Sequence, residues 1–362
     1  MTKYLETLIF IGKCLTISVN YKNKIIVKNK IINKKIDWEY FIKVSSSHLL
    51  IPSLYYNFKN TNLIDKLPLD LSNFMKSIYK INYDRNEKIL IQIKELNKIL
   101  KKNDILPIFL KGASFLIEDL YLNKGERMIG DIDFIVSNED YFKSIKILKK
   151  HGYSSNIKEQ DIIFPSKHYP KMVKKDRIAA IEIHSKIILK KHSKIYNYES
   201  FLSKNRIINN MNIPSIENQI IHNFLNKQFS DRGKYLRNPN FRNTYDLFRL
   251  SLKKQPLKII KKNKILFNTF NSYLLQSYYL LKQNELNYYK NFKSKIELKI
   301  FILLIKNNKI NIIYNNVYYF LRKFKIRFIL IIQLIYKSKY RNYFFRKYKI
   351  NLIILIFFYT MV

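Results

Sequence analysis

Two aspartates separated by one residue form the motif of the chain that is best suited to chemistry. Asp131 and Asp133 flank Ile132 and are followed by an apolar run at residues 134–136. Residues two apart on a β-strand point to the same face, so both carboxylates would project together from the start of this strand. Aspartate is disfavoured in strands and neighbouring carboxylates repel each other, so a counter-ion is needed. A divalent cation such as Mg²⁺, which binds carboxylate and phosphate oxygens, would supply it.

A third acidic residue, Glu182, stands between Ile181 and Ile183 in a segment typical of a buried strand. An isolated carboxylate inside an apolar strand is costly unless it is paired or binds a metal. If this strand lies beside the one that carries Asp131 and Asp133, the three carboxylates can hold two metal ions. In such a site one ion activates the attacking oxygen and the other stabilises the leaving phosphate.

Glycine is scarce in this chain, yet three of its six glycines, Gly112, Gly125 and Gly130, fall just ahead of the acidic pair. This clustering indicates backbone turns or close approaches that a Cβ atom would block. The same window carries basic residues as well as carboxylates, so it is the best place in the sequence for a phosphate site.

The first of these glycines, Gly112, follows a short apolar run at residues 105–110, as expected of a strand that enters a turn. A helix is predicted to begin near Ser114. The backbone N–H groups of such a turn, together with a helix N-terminus, cradle a phosphate. Lys111 and Arg127 are placed to contact a triphosphate or a developing negative charge. The pattern is not a P-loop, because the G-x-x-x-x-G-K-[ST] motif is absent from the sequence.

These residues need a sheet to position them, and the sequence predicts one. Strands are expected at residues 105–110, at residues 131–136 and within residues 177–189, with a helix over residues 138–153. A strand, a helix and a further strand so close together indicate a small α/β unit.

On both sides of this unit the apolar residues recur three to four apart, which predicts helices. Clear examples are residues 71–102 and residues 215–229, the second with Ser215 as a helix cap. The chain is therefore predicted to divide into an N-terminal helical region (1–104), an α/β core (105–205) and a basic C-terminal helical region (206–362).

The stretch FLKGASFLIEDLYLNKGERMIGDIDFIV, from Phe109 to Val136, resembles the signature of the uncharacterised nucleotidyltransferase family. That family is part of the polymerase-β-like nucleotidyltransferase superfamily, whose pattern is a glycine turn, a D-x-D pair and a distant single acid. KGERMIGDID is similar to the family's Gly-x-Arg run ahead of the acidic pair, and Glu182 takes the place of the distant acid. Ala113-Ser114 replaces the usual small pair of the superfamily.

The resemblance implies an α+β fold in which a small mixed-sheet nucleotidyltransferase core is flanked by helical regions. It also implies an enzyme that uses Mg²⁺, with two ions expected, to transfer a nucleoside monophosphate from an NTP such as ATP to an acceptor hydroxyl. Pyrophosphate would leave. The residues implied as catalytic groups and metal ligands are Asp131, Asp133 and Glu182. The residues implied in binding the nucleotide phosphates are Lys111, Gly112, Ser114 and Arg127.

Other interpretations stay open at this point. The acceptor can be a small molecule, RNA or a protein, and one variant is a toxin-like nucleotidyltransferase that modifies tRNA or a protein. A different class is a non-catalytic, basic module that binds RNA or a nucleotide. Five further polar residues are interpreted mainly as structural or supporting groups: His168, His184, His222, Arg242 and Asp246.

The chain carries 67 basic and 26 acidic residues, which gives a net charge of +41. The excess of basic residues is largest in the C-terminal third, because the acidic residues after residue 250 are Glu285 and Glu297 alone. The positive electrostatic field of so basic a chain attracts nucleic acids, nucleotides and anionic membranes. The basic, aromatic segment at residues 318–349 can bind single-stranded nucleic acid by charge and stacking, or lie on an anionic membrane surface, or simply pack on the core.

A single cysteine, Cys14, excludes a disulfide framework and a cysteine-based zinc site. The N-terminal run at residues 4–19 contains charges and lacks a small-residue cleavage site, so a signal peptide is not expected. The apolar stretch at residues 350–362 is shorter than the ~20 residues that span a bilayer. The sequence therefore predicts a cytoplasmic protein.

Overall fold

The computed structural model describes residues 2–157, 166–189, 193–261, 265–338 and 341. The N-terminal part is helical, as predicted, because its apolar residues recur at helical spacing. Its helices are α1 (Lys3–Cys14), α2 (Tyr21–Ile32), α3 (Trp38–Ser47), α4 (Ile51–Asn60) and the long α5 (Leu69–Lys101). The apolar stretch at residues 350–362 lies outside the described residues.

The middle of the chain forms a five-stranded mixed sheet with the strand order β3-β2-β1-β5-β4. Its strands are β1 (Ile108–Leu110), β2 (Asp131–Ile135), β3 (Ala180–His184), β4 (Asn205–Ile208) and β5 (Met211–Pro214). β2 runs antiparallel to β1 and parallel to β3, while β5 is parallel to β1 and antiparallel to β4. The first three strands are where the sequence predicted them; β4 and β5 form a hairpin that the sequence analysis did not identify.

Four helices accompany the sheet, namely α6 (Lys111–Ile117), α7 (Asp140–Lys150), α8 (Tyr198–Leu202) and α9 (Ile216–Leu225). Ser215 caps α9 as predicted, because its side chain accepts a hydrogen bond from the Asn218 N–H. A π-helical turn (Asn226–Ser230) extends α9 and leads to α10 (Gly233–Leu236) and α11 (Phe241–Ser251). The remaining helices are α12 (Pro256–Lys261), α13 (Phe267–Leu281), α14 (Phe292–Lys306) and α15 (Asn308–Tyr336).

The two faces of the sheet are covered by different helices, and strand alternation decides which side chains meet them. Ile132 and Phe134 of β2 and Ile181 of β3 pack in a core that also contains buried residues of α5 and α7. The alternate residues, Asp131 and Asp133 on β2, therefore face the opposite side, as do Glu182 and His184 on β3. This alternation puts the acidic residues on the side of the sheet away from α5 and α7.

The second core is larger and joins the two ends of the chain. It contains buried apolar residues of α1 and α4 together with residues of α9, α11, α13 and α14. Gly12 of α1 lies against the end of α13, where a Cβ atom would come within 2.1 Å of the Leu280 carbonyl oxygen. The N-terminal and C-terminal helical regions therefore pack on each other beside the sheet.

The architecture is α+β, a mostly helical protein with a mixed sheet in its middle, and this confirms the fold class predicted from the sequence. None of the described helices combines the length and hydropathy that crossing a bilayer requires. α15 differs from the other long helices because none of its residues is buried.

Candidate active site

The adjacent strands β2 and β3 bring the predicted carboxylates together. In their parallel register Asp133 pairs with Glu182, and Ile135 pairs with His184. Asp133, Glu182 and His184 are buried, and each offers a ligand atom within 4.8 Å of the other two. Glu182, which is far from the aspartates in the sequence, thus lies next to Asp133 in the fold.

Asp133 is held as a carboxylate by two neighbours on one of its oxygens. The Lys111 ammonium is 2.5 Å from Asp133 Oδ1, and His184 Nε2 is 2.9 Å from the same atom. Burial alone would raise the pKa of Asp133, but the charge of Lys111 and the hydrogen bond from His184 outweigh it and hold the pKa well below its usual value. Asp133 is therefore an ionised carboxylate in a largely dry setting.

Glu182 and Asp131 share a second lysine. The Lys171 ammonium is 2.7 Å from Asp131 Oδ2 and 3.8 Å from Glu182 Oε1. Burial raises the pKa of Glu182, but the hydrogen bond from His184, together with the charges of His168 and Lys111, outweighs this and lowers the pKa. The three carboxylates thus face two ammonium groups, one from Lys111 and one from Lys171.

This donor set fits a divalent cation. Ionised carboxylate oxygens are the preferred ligands of Mg²⁺, and the imidazole of His184 would suit a transition metal such as Mn²⁺. His184 is fully buried and its Nδ1 has no hydrogen-bond partner among the described residues. The two lysines place positive charge where a bound cation would otherwise neutralise the acids. Metal binding here therefore requires Lys111 or Lys171 to move or to turn towards another anion.

The turn between β1 and α6 differs in detail from the prediction. α6 begins at Lys111 rather than near Ser114, because Lys111 adopts a left-handed backbone conformation with φ of 51° that reverses the chain directly after β1. Ser114 is fully buried, and its hydroxyl donates to the Lys111 carbonyl at 2.8 Å. A Cβ on Gly112 would come within 2.5 Å of Arg127 Nη1, so this glycine gives the arginine room to pack against the turn.

Arg127 is engaged by an aspartate from a distant helix. Its Nε donates to Asp246 Oδ1 at 2.7 Å and its Nη2 donates to Asp246 Oδ2 at 2.8 Å, which is a two-point contact. The Tyr121 hydroxyl also donates to Asp246 Oδ1. Asp246, on α11, is 2% exposed. The loop that leads to the acidic pair is thereby fastened to the C-terminal helices.

A cavity of about 330 Å³ opens between the sheet and the C-terminal helices. Its sheet side is lined by residues that the sequence singled out: Lys111, Gly112, Arg127, Asp131 and Asp133. Its helical side is lined by polar residues of α9, the π-helical turn and α11, and by the residue that follows that turn: Gln219, His222, Asn223, Asn226, Asp231, Arg242, Asn243 and Asp246. Ser114 and Glu182 are not among the lining residues, although Glu182 adjoins Asp133.

Two histidines stand close to the acidic cluster. His168 Nε2 lies 3.8 Å from Glu182 Oε2, and His168 Nδ1 donates to the Tyr169 carbonyl at 2.9 Å. Burial lowers the pKa of His168. His168 is therefore a neutral neighbour of Glu182 near neutral pH, whereas His184 contacts Asp133 directly.

A sequence model of the uncharacterised nucleotidyltransferase family matches residues 34–266, well over half of the chain. The chain belongs to this family. The matched region of this nucleotidyltransferase family member spans the sheet, all three carboxylates and the helices α9 and α11 that line the cavity. No curated protein and no solved structure was found to match the chain.

The sequence predicted the acidic residues of the site but not the side chains that contact the predicted site residues. Lys171 was not singled out, because one lysine among so many carries no local signal. His184 and Asp246 were interpreted as structural or supporting, and they contact Asp133 and Arg127. The signal for His184 was its position two residues after Glu182, which puts both side chains on one face of β3.

Proposed function

We propose that the protein is a Mg²⁺-dependent nucleotidyltransferase that transfers a nucleoside monophosphate from an NTP such as ATP to an acceptor hydroxyl. The observation that carries this proposal is the direct pairing of Asp133 with Glu182 beside a cavity lined by Lys111 and Arg127. Family membership supports the reaction class, and the nucleotide and the acceptor belong to the proposal. A reaction in the cytoplasm accords with the free, buried thiol of Cys14.

In the proposed reaction the acceptor oxygen attacks the α-phosphorus of the nucleotide. A P–O bond forms to the acceptor while the bond to the β-phosphate breaks, and pyrophosphate leaves with the bonding electron pair. The acceptor proton passes to Glu182, whose lowered pKa keeps it ionised at neutral pH. Bound magnesium ions, two in this proposal, would neutralise the phosphate charge at Asp131, Asp133 and Glu182.

The residues of the turn complete the proposed site. Lys111 and Gly112 line the cavity next to the acidic pair, and Arg127 lines it from the same side. We assign these residues to the β- and γ-phosphates of the nucleotide. Arg127 would use its Nη1, which does not bond to Asp246, and Lys111 would turn from Asp133 to a phosphate oxygen when a cation takes its place. Ser114 contributes by fixing the turn through its bond to the Lys111 carbonyl. Catalysis of this type depends mostly on positioning and charge neutralisation.

The test is incorporation of label from α-³²P NTPs into candidate acceptors, which are small molecules, RNA and protein. Asp133→Asn should lower incorporation by at least about a hundredfold, because it removes a charged group from the reacting centre. Asp231→Asn is the matched control, since Asp231 lines the same cavity outside the carboxylate cluster. Equal incorporation by the wild-type protein and Asp133→Asn would contradict the proposal.

A non-catalytic nucleotide- or RNA-binding module is the second candidate. The observation that favours it is that Lys111 and Lys171 already neutralise the acidic residues. Metal-independent RNA binding that Asp133→Asn leaves unchanged, without any incorporation of label, would support this candidate. A toxin-like enzyme would instead arrest growth on expression, and Asp133→Asn would relieve the arrest.

α15 adds a proposed accessory contact. It exposes large apolar side chains such as Phe320 and Phe324 beside basic residues such as Arg327, and it contains no acidic residue. This composition suits a peripheral contact with an anionic membrane surface or with nucleic acid. Salt-sensitive binding to phosphatidylserine vesicles or to single-stranded RNA, weakened by Arg327→Glu, would support it.

A further inference from the structure

Arg242 on α11 is a charged residue without a direct ion pair, because the carboxylates of Asp246 and Asp231 act on it only over a longer range. It lines the cavity, and among the described residues no hydrogen bond or ion pair reaches its guanidinium. Burial, reinforced by the nearby charge of Arg127, lowers the pKa of Arg242 below its usual value. A half-buried guanidinium without a partner is unfavourable unless a ligand supplies the anion.

The nearest helical neighbour cannot serve Arg242. Asp246 lies four residues further along α11, hence on the same face of the helix. Both of its oxygens accept from Arg127, and one of them also accepts from Tyr121. The charge of Asp246 is thus committed to Arg127, and Arg242 faces the cavity next to a neutralised pair.

Two more polar groups on the helical side of the cavity, here called its helical wall, have no hydrogen-bond partner. Among the described residues, His222 Nε2 and Gln219 Oε1 are buried atoms without a hydrogen-bond partner. Both residues line the cavity and both are 3% exposed. Buried polar atoms are satisfied in almost all native structures, so unsatisfied ones beside a cavity indicate that a water molecule or a ligand contacts them there.

The setting of His222 decides its protonation. Burial, with the charges of Lys111 and Lys167 nearby, lowers the pKa of His222 well below its usual value. The neutral ring carries one N–H that can donate a hydrogen bond to an anion. The wall thus offers a guanidinium and a neutral donor towards one cavity, opposite the acidic residues on the sheet.

We propose that Arg242 and His222 form a phosphate-group subsite on the helical wall of the cavity. The unpartnered Oε1 of Gln219 is an acceptor and is not part of the phosphate contact. The subsite is separate from the contacts assigned above to Lys111, Gly112 and Arg127. It rests on the proposed function only in taking the cavity as the substrate site. The phosphate belongs either to the nucleotide tail or to a phosphorylated acceptor, and these two sources give different results below.

The probe is pyrophosphate, titrated by calorimetry into metal-free protein. Arg242→Gln should weaken pyrophosphate binding by about tenfold or more, because it removes a charge-assisted contact in a low-dielectric cavity. Lys28→Gln is the control, since it removes one positive charge from the exposed surface of α2. It should leave the affinity unchanged.

A second arm uses protein saturated with α,β-methylene-ATP. If the subsite holds the nucleotide tail, Arg242→Gln weakens analogue binding, and pyrophosphate no longer binds to the loaded wild-type protein. If the subsite holds an acceptor phosphate, analogue affinity is unchanged, and pyrophosphate binds the loaded wild-type protein but not loaded Arg242→Gln. The proposal is overturned if the wild-type protein fails to bind pyrophosphate, or if Arg242→Gln binds it with wild-type affinity in both arms.

Thermal unfolding separates binding from folding. Removing an unpaired charge should leave the Tm of Arg242→Gln at or above the wild-type value in phosphate-free buffer, and pyrophosphate should raise only the wild-type Tm. Arg242→Lys keeps the charge with fewer donors and should bind with intermediate affinity. These measurements need no catalysis, so Asp133→Asn should still bind pyrophosphate even if no transfer activity is ever detected.

Discussion

Asp246→Asn tests whether the contact between α11 and the Arg127 loop holds the candidate site together. The substitution keeps the shape of the side chain but removes the charge that both Arg127 hydrogen bonds meet, at 2.7 and 2.8 Å. Asp246 is 2% exposed and the Arg127 side chain is 11% exposed, so little water reaches the Arg127 guanidinium to solvate it after the substitution. Removing one partner of such a buried pair costs about 3–5 kcal/mol. Because asparagine can still accept one hydrogen bond, we expect a loss near the lower end, about 3 kcal/mol.

The assay is urea unfolding followed by circular dichroism, with the free energy of unfolding compared between variants. Asp231→Asn is the control, because Asp231 lines the same cavity and no side-chain ion pair to it is found among the described residues. It should change stability by less than about 0.5 kcal/mol. The double variant Arg127→Met/Asp246→Leu removes both charges and should be more stable than Asp246→Asn. A loss below about 1 kcal/mol for Asp246→Asn, or a double variant that is less stable than it, would refute the reasoning.

Three further predictions concern other parts of the molecule. Gly12→Ala should lower the free energy of unfolding by about 1–3 kcal/mol, because its Cβ would lie 2.1 Å from a backbone oxygen at the end of α13. Gly130→Ala is the control: its Cβ would meet no atom within 4 Å, so thermal unfolding should be unchanged. Burial raises the pKa of Glu126 to about 7, above its unfolded value, so the contribution of Glu126 to stability should fall as the pH rises from about 4.5 to about 7, whereas the lowered pKa values of His48, His168 and His222 act in the opposite direction. Glu126→Gln should remove up to about 3 kcal/mol of this change, measured as urea midpoints at pH 5 and pH 8. Lys171→Met should strengthen Mg²⁺ binding by about two- to fivefold in calorimetry, because an exposed ammonium no longer competes for the acids, and weaker binding would contradict this.

The residues of the D-x-D strand show what the sequence can predict. Asp131 and Asp133 alternate with Ile132 and Phe134, and this period of two determines both the strand and the face that carries the acids. Glu182 alternates with Ile181 and Ile183 in the same way. The prediction of a mixed-sheet core flanked by helices was confirmed, as was the family to which the chain belongs.

The contacts that complete the site could not be predicted because they depend on the tertiary fold. Asp246 is distant from Arg127 in the sequence, and only the packing of α11 brings them together. The start of α6 at Lys111 requires a left-handed lysine, and lysine has no preference for that conformation. β4 was missed because none of its residues is fully buried, which leaves a weak apolar pattern. The division of the chain at residues 104 and 205 stays a prediction, although the hairpin β4–β5 continues the sheet to Pro214.

The packing of α1 on α13 has a consequence for how the polypeptide matures on the ribosome. Gly12 meets Leu280, and the Gln283 amide donates to the Thr16 hydroxyl at 3.3 Å, so one side of the first helix is covered by residues translated more than two hundred and fifty positions later. Until those residues emerge from the exit tunnel, that side of the nascent chain stays uncovered, and structure formed from the N-terminus onwards is incomplete. The docking of α1 on α13 can therefore begin only late in synthesis, and chaperones that recognise apolar segments have their longest opportunity at the N-terminal helix.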